Sequence, residues 1–195
     1  MKPINNKLKT NEKFLNLTDE ELVEKIVKTK NSILFGEIYD RFSEKVYNKC
    51  LSFVKREEEA QDLTQDVFLK LYIKLGSFQG KSKFSTWLYT FTYNYCVNYV
   101  TRDTAKKMEQ QSLQIDKNEY LLIEPDDYSL FQLKVDRLQL CIELIPPEDK
   151  MLLLLKYQDD ISIKDIAIGL ELGESAIKMR LKRAKAKLIK IYNEQ

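Results

Sequence analysis

Residues 161–191, ISIKDIAIGLELGESAIKMRLKRAKAKLIKI, read as two helices separated by a tight turn. Ser162 is placed to cap the first helix, and Asp165, three residues on, completes a capping-box-like pattern. Ile163, Ile166, Ala167 and Leu170 supply its apolar stripe, and Leu172 is expected to pack under the turn. Gly173 tolerates an N-cap geometry. After it Ile177, Leu181, Ala184 and Leu188 recur every three or four residues along one face of a longer helix. The other faces of that helix carry Lys178, Arg180, Lys182, Arg183, Lys185, Lys187 and Lys190. A short helix, a turn and a longer basic helix form the helix-turn-helix arrangement, whose second helix fits the major groove of duplex DNA. A solvated amphipathic helix is the competing reading. Solvated faces normally mix signs, however, and here Glu occurs only at Glu174 and Glu194, outside the basic run.

The composition outside this stretch suits a mostly helical chain. Hydrophobic residues make up 44% and charged residues 32%, with only 5 Gly and 4 Pro to break helices. A length of 195 residues allows two small domains, each with its own core. The net charge of +2 conceals strong local differences, so the distribution of charge is more informative than the total. Cys50, Cys96 and Cys141 are odd in number and lie far apart, which suggests buried thiols in a reducing cytoplasm rather than disulfides or a zinc ribbon. No His is present, which excludes Ser-His-Asp and Cys-His catalysis and His-based zinc sites. The leader has no signal-peptide core, and no apolar run approaches bilayer-spanning length, so no membrane insertion and a cytoplasmic location are expected.

Taken in order, the chain opens with a polar leader, 1–18, followed by a first domain expected over 19–104. Thr18 and Glu21 form a capping box for a short helix that buries Leu22, Val23, Ile26 and Val27. A second helix is expected from about 32 to 54, with Leu34, Phe35, Ile38, Phe42, Val46 and Cys50 among its inward residues. A third, over about 57–74, turns Ala60, Leu63, Val67, Phe68 and Leu71 inward and leaves Glu58, Asp62, Gln65, Asp66 and Lys70 outside. Its carboxylate row could ligate a divalent metal, but no phosphate-cradling Gly motif accompanies it, and a partner-docking surface fits better.

Gly76 and Gly80 mark a loop made basic by Lys81 and Lys83, and a fourth helix begins near Ser85. Phe84, Leu88, Phe91 and Tyr95 can share its inward face, which leaves Trp87 and other rings at the surface beside Asn94, Asn98 and Arg102. Interleaved aromatic and basic groups suit single-stranded nucleic acid, where stacking stabilises by roughly 1–3 kcal/mol per base. Plain core packing of these aromatics is the alternative. Periodicity then fades over 105–130, where Asp116, Glu119, Glu124, Asp126 and Asp127 make an acidic, flexible linker. The second domain, 131–195, offers Leu133, Leu138, Leu140, Cys141 and Leu144 as core candidates. Its next helix opens after Pro146 and Pro147 and runs through Met151, Leu152, Leu154, Leu155 and Tyr157 to the helix-turn-helix.

The ordered set EEAQDLTQDVFLKLY, FQGKSKFSTWLYTFTYNYCVNYV, IPPEDKMLLLLKY and the helix-turn-helix resembles bacterial RNA polymerase sigma factors of the extracytoplasmic-function class. The likeness covers about 19–104 and 131–192. It implies an all-α fold of two helical domains, sigma regions 2 and 4, joined by a flexible linker. It also implies a protein that promotes strand opening with no cofactor, metal or covalent step.

Residue by residue, the resemblance implies that Asp62, Gln65 and Asp66 dock on the clamp of core RNA polymerase. It assigns the loop from Phe78 to Phe84, with Lys81 and Lys83, to an unstacked nontemplate base of the minus-ten element. Trp87, Asn94, Asn98 and Arg102 would lie nearby for melting and backbone contact. Ser175, Lys178, Met179, Lys182 and Arg183 would meet the minus-thirty-five duplex. The family is commonly held inactive by an anti-sigma factor, which makes such a partner one to expect.

The chain departs from the family where Glu171 stands in a turn position often held by Gly, and where Ala176 and Met179 replace hydroxyl residues. A stand-alone helix-turn-helix regulator and, more remotely, a metal-dependent nucleotide hydrolase are the other function classes considered.

Overall fold

A computed structural model describes residues 17–109 and 135–194. Residues 1–16 of the expected leader, Leu133, and the expected linker from 110 onward lie outside the described residues, whereas 105–109 continue a helix. The described residues form helices and turns with no strand among them. The chain divides into two compact units, with the division between Thr92 and Tyr93, inside the longest helix among the described residues.

In the first unit, α1 (Asp19–Thr29) opens on the capping box that its sequence announces. Thr18 N–H donates to Glu21 Oε2 at 2.9 Å, and Glu21 N–H donates to Thr18 Oγ1 at 3.2 Å. The backbone and hydroxyl hydrogen bonds from Thr18 lower the Glu21 pKa. The box therefore contributes in full above the ordinary glutamate value and is lost as pH falls through the lowered one. Asn31 ends the connection and caps α2 (Ser32–Leu51), accepting from Ile33 N–H at 2.9 Å.

Leu34, Ile38, Phe42, Val46 and Cys50 recur every fourth residue on α2 and are all buried. Each large apolar side chain buried in this way stabilises by about 1.5–3 kcal/mol. The helix stops at Leu51, short of the expected 54, where Ser52 Oγ donates to Lys49 O at 2.7 Å and diverts the backbone. α3 (Glu57–Lys74) carries Glu57, Glu58 and Glu59 in its first turn, where the helix dipole favours them, and buries Ala60, Leu63, Val67, Phe68 and Leu71. A 3₁₀ turn, Leu75–Ser77, leads into the loop before α4 (Phe84–Glu109).

The buried stripe of α4 differs from the expected one. Phe84, Leu88, Thr92 and Cys96 are each 0% exposed, whereas Phe91 and Tyr95 are half-buried. The spacing of four is regular, but Thr92 breaks the apolar pattern in sequence. Its hydroxyl donates to Leu88 O at 2.9 Å, so burying it leaves no donor unsatisfied.

In the second unit, α5 (Val135–Leu144) is followed by α6 (Pro147–Leu153), whose first residue is a proline, and by a π turn, Leu154–Gln158. Met151 to Leu155 are buried without interruption and pack beneath the last two helices. Two core expectations on α5 fail. Leu140 and Leu144 are 63% and 58% exposed, because the inward line runs instead through Cys141 and Ile145. Lys150, 5% exposed, is held by Glu143 Oε1 at 2.6 Å, and Lys187 by Asp149 Oδ2 at 2.5 Å.

α7 (Ile163–Gly169) is capped by Ser162 Oγ, which accepts from Asp165 N–H at 3.1 Å, and α8 (Glu174–Glu194) buries Ile177, Leu181, Ala184 and Leu188. The turn between them is a Schellman closure: Leu172 N–H reaches Ala167 O at 2.9 Å, and Glu171 N–H reaches Ile168 O at 3.3 Å. That closure needs a left-handed residue, and Glu171 supplies it with φ +56°. Its Cβ makes the conformation costly, by roughly 1–2 kcal/mol, whereas Gly adopts it freely at an entropic cost of about 0.5–1 kcal/mol. Glu171→Gly is therefore expected to stabilise the second unit by about 0.5–1 kcal/mol. Calorimetry on the full chain should show its transition rise by roughly 2–8 °C.

Candidate nucleic-acid interface and docking face

The line Leu63, Val67 and Leu71 is buried, which turns the opposite side of α3 outward with Asp62, Gln65 and Asp66 all exposed. The helical repeat carries this face on to Leu69, 66% exposed, and Ile73, 82% exposed. One helix face thus starts acidic and polar and ends apolar. Leu69 and Ile73 were not singled out in the sequence, although their spacing of four after Gln65 is the signal that would have found them. Among the described residues, no group of three His, Cys, Asp or Glu side chains is arranged to hold a metal ion.

The loop before α4 is built on aromatic contacts. Phe78 packs edge-on against Phe84, with centroids 5.5 Å apart, and at a tilt against Trp87, also at 5.5 Å. Trp87 stacks on Phe91 at 5.8 Å with planes 17° apart. Gly80 turns the loop with φ +66°, and Lys81 and Lys83 beside it are exposed. Phe84 itself is fully buried, its ring edge-on to Phe42 at 5.5 Å, so it supports the loop and has no face to offer a base. Trp87 and Phe78 are half-buried. Phe91, absent from the sequence-based set, backs the Trp87 indole. Further along the same helix Asn94, Asn98 and Arg102 are exposed at a repeat of four.

On α8 the buried stripe leaves Ser175, Lys178, Met179 and Arg183 exposed, with Met179 at 56%. Lys182 is half-buried on the same outward side. Not every cation of the basic run is placed to meet a ligand. Lys187 is spent on Asp149, and Lys190 lies 3.8 Å from Glu194. Arg137 donates to Tyr192 O at 2.6 Å and lies over its ring at 4.4 Å, anchoring the end of α8.

Two family descriptions match the sequence: Sigma-70 region 2 over residues 38–106, and Sigma-70, region 4 over residues 136–188. Together they take in more than half of the chain. Among curated relatives, the ECF RNA polymerase sigma factor SigW of Bacillus subtilis is 26% identical over 178 residues, with 85% of this chain and 92% of that protein covered. The RNA polymerase sigma-H factor of Pseudomonas aeruginosa is 25% identical over 174 residues, covering 86% of this chain and 90% of that one.

In fold, the chain is similar to the sigma factor RpoE solved in complex with the anti-sigma factor NepR from Bartonella quintana. That match has a TM-score of 0.57 at 20% identity and covers 80% of this chain and 95% of that one. CnrH, solved in complex with the cytosolic domain of CnrY, gives 0.57 at 18% identity and covers 89% and 96%. With two sigma-70 regions in the family's order and relatives matched over nearly their whole length, this chain belongs to the sigma-70 family of RNA polymerase sigma factors, in its extracytoplasmic-function class.

Proposed function

We propose that three outward helix faces divide promoter recognition among them: α3 docks on core RNA polymerase, the loop 78–84 with α4 takes the unpaired minus-ten strand, and α8 reads the minus-thirty-five duplex. In domain terms, 19–104 acts as region 2, 131–195 as region 4, and 105–130 as their connection. The observation that carries this reading is the aromatic group Phe78, Trp87 and Phe91 beside exposed lysines, an arrangement that a dimerisation domain does not require.

Docking comes first in the sequence of events. Asp62, Gln65 and Asp66 offer charge and hydrogen bonds at the rim, while Leu69 and Ile73 extend the face with apolar surface that water leaves readily. On promoter DNA, Lys178, Lys182 and Arg183 meet phosphates and base edges, Ser175 adds a hydroxyl, and Met179 supplies an apolar contact of the kind that suits a thymine methyl. A base unstacked from the minus-ten element loses a few kcal/mol. Stacking on Trp87 and Phe78, with Lys81, Lys83, Asn94, Asn98 and Arg102 along the backbone, offsets that loss. The protein's part is recruitment and strand separation without a covalent step, and it acts in the cytoplasm, where core polymerase works. An anti-sigma factor belongs to the same reading, supported by the RpoE fold relative having been solved with one.

Asp62→Ala and Ile73→Ser are each expected to weaken binding to core polymerase by about ten-fold. Both should leave the affinity of the free protein for minus-thirty-five duplex unchanged, as read by fluorescence anisotropy. Lys178→Ala and Arg183→Ala should each reduce the salt slope of duplex binding by about one unit, because each leaves one phosphate to keep its counterion. An unchanged slope in both would remove α8 from the groove. Trp87→Ala should slow promoter opening, followed by permanganate reactivity of unpaired thymines, far more than it weakens closed-complex binding. Equal losses in the two steps would make Trp87 a packing residue only.

A further inference from the structure

We infer that Glu20 is a positioning residue for the minus-ten loop, capping α4 from another helix and thereby fixing where the loop 78–84 enters it. The inference rests on the assignment of that loop to the unpaired strand.

The first amides of a helix have no acceptor within it, and the residue just before the helix usually supplies one from a Ser, Thr, Asp or Asn side chain. Before α4 that place belongs to Lys83, whose carbonyl accepts from Trp87 N–H at 3.1 Å. A lysine side chain can only donate, so it cannot cap. The acceptor comes instead from α1: Phe84 N–H donates to Glu20 Oε1 at 2.8 Å.

Glu20 is itself held in place. The Thr18–Glu21 box sets the start of α1. Arg41 on α2 donates from Nη1 to Leu17 O at 2.9 Å and to Asp19 Oδ1 at 2.8 Å, while its Nε is fixed by Glu37 Oε1 at 2.9 Å. Polar contacts thus anchor the first turn of α1 to α2 on one side and, through Glu20, to the head of α4 on the other.

The amide that Glu20 captures belongs to the residue whose ring supports the loop. Phe84 is buried against Phe42 and Phe78, and Phe78 in turn meets Trp87. Holding the Phe84 backbone therefore fixes the platform on which the accessible rings rest. The carboxylate also occupies the positive end of the helix dipole, where a phosphate would otherwise bind. The strand backbone is thus left to Lys81 and Lys83, exposed within the loop.

The test uses the full chain with core polymerase on a promoter identified by mapping transcript starts after overexpression. E20A is expected to slow strand opening, read by permanganate reactivity, by about five-fold, the effect of losing one helix cap. Core binding and closed-complex affinity should stay within about two-fold of the unsubstituted protein. E20Q keeps the acceptor oxygen and should open the promoter at close to the original rate. Opening at the original rate by E20A, or an equal loss in E20A and E20Q, would overturn the assignment.

Should E20A also lose core binding, E20D decides, because it keeps the charge but not the reach. Slow opening by an E20D protein that binds core normally supports the cap, and normal opening overturns it. W87A run in parallel separates the two levels. Slow opening by W87A with normal opening by E20A removes only the role of Glu20, whereas normal opening by W87A removes the loop assignment and this inference with it.

Discussion

The candidate interaction faces on α3 and α8 are each the reverse of a buried stripe. Where Ile177, Leu181, Ala184 and Leu188 enter the second core, Ser175, Met179 and Arg183 have no direction left but outward. Where Leu63, Val67 and Leu71 enter the first, Asp62, Gln65 and Asp66 are presented in the same way. Burial of several apolar side chains, at about 1.5–3 kcal/mol each, fixes the rotation of each helix far more firmly than any contact on the exposed side could. Recognition is thus aimed by the core, and the surface residues can vary in chemistry without changing where they point.

The charges fall into two groups that composition cannot separate. Arg41, Lys150 and Lys187 hold helices together through Asp19, Glu143 and Asp149, and Lys49 lies over the Tyr89 ring at 4.0 Å while almost wholly buried. Burial works against the charge of Arg41, but its hydrogen bonds to Asp19 and Glu37 prevail and raise its pKa. These cations are structural. Lys81, Lys83, Lys178, Arg180 and Arg183 are exposed and lie on the faces proposed to meet DNA. Near-neutrality of the whole chain is compatible with a DNA-binding function because charge is unevenly distributed, with Glu57, Glu58, Glu59, Asp62 and Asp66 gathered on α3.

Where helices begin and end was largely legible in the sequence because it depends on local chemistry. The Thr18–Glu21 box, the Ser162 cap, the proline pair at the start of α6 and the turn ahead of α8 act within a few residues, and each appears in place. The inward face of α4 was less legible. Phe91 and Tyr95 look like core by hydropathy, yet Thr92 and Cys96 are buried, since a threonine that returns its hydroxyl to the preceding turn costs little to bury. Leu140 and Leu144 mislead in the opposite direction. They are apolar at helical spacing, but the neighbouring line through Cys141 and Ile145 is the one that meets the core.

The sequence by itself carried the motifs of the family, the all-helical class, the local caps and the residues proposed here to contact DNA, because motifs, periodicity and side-chain chemistry are local properties of the chain. Only the tertiary structure decided which of those residues are accessible. It buried Thr92 and Cys96 where Phe91 and Tyr95 were expected, tied Lys187 to Asp149, extended the α3 face through Leu69 and Ile73, and brought Glu20 to the head of α4. Each of these outcomes depends on what packs against the residue from a distant part of the chain. No spacing rule within one helix can supply that information.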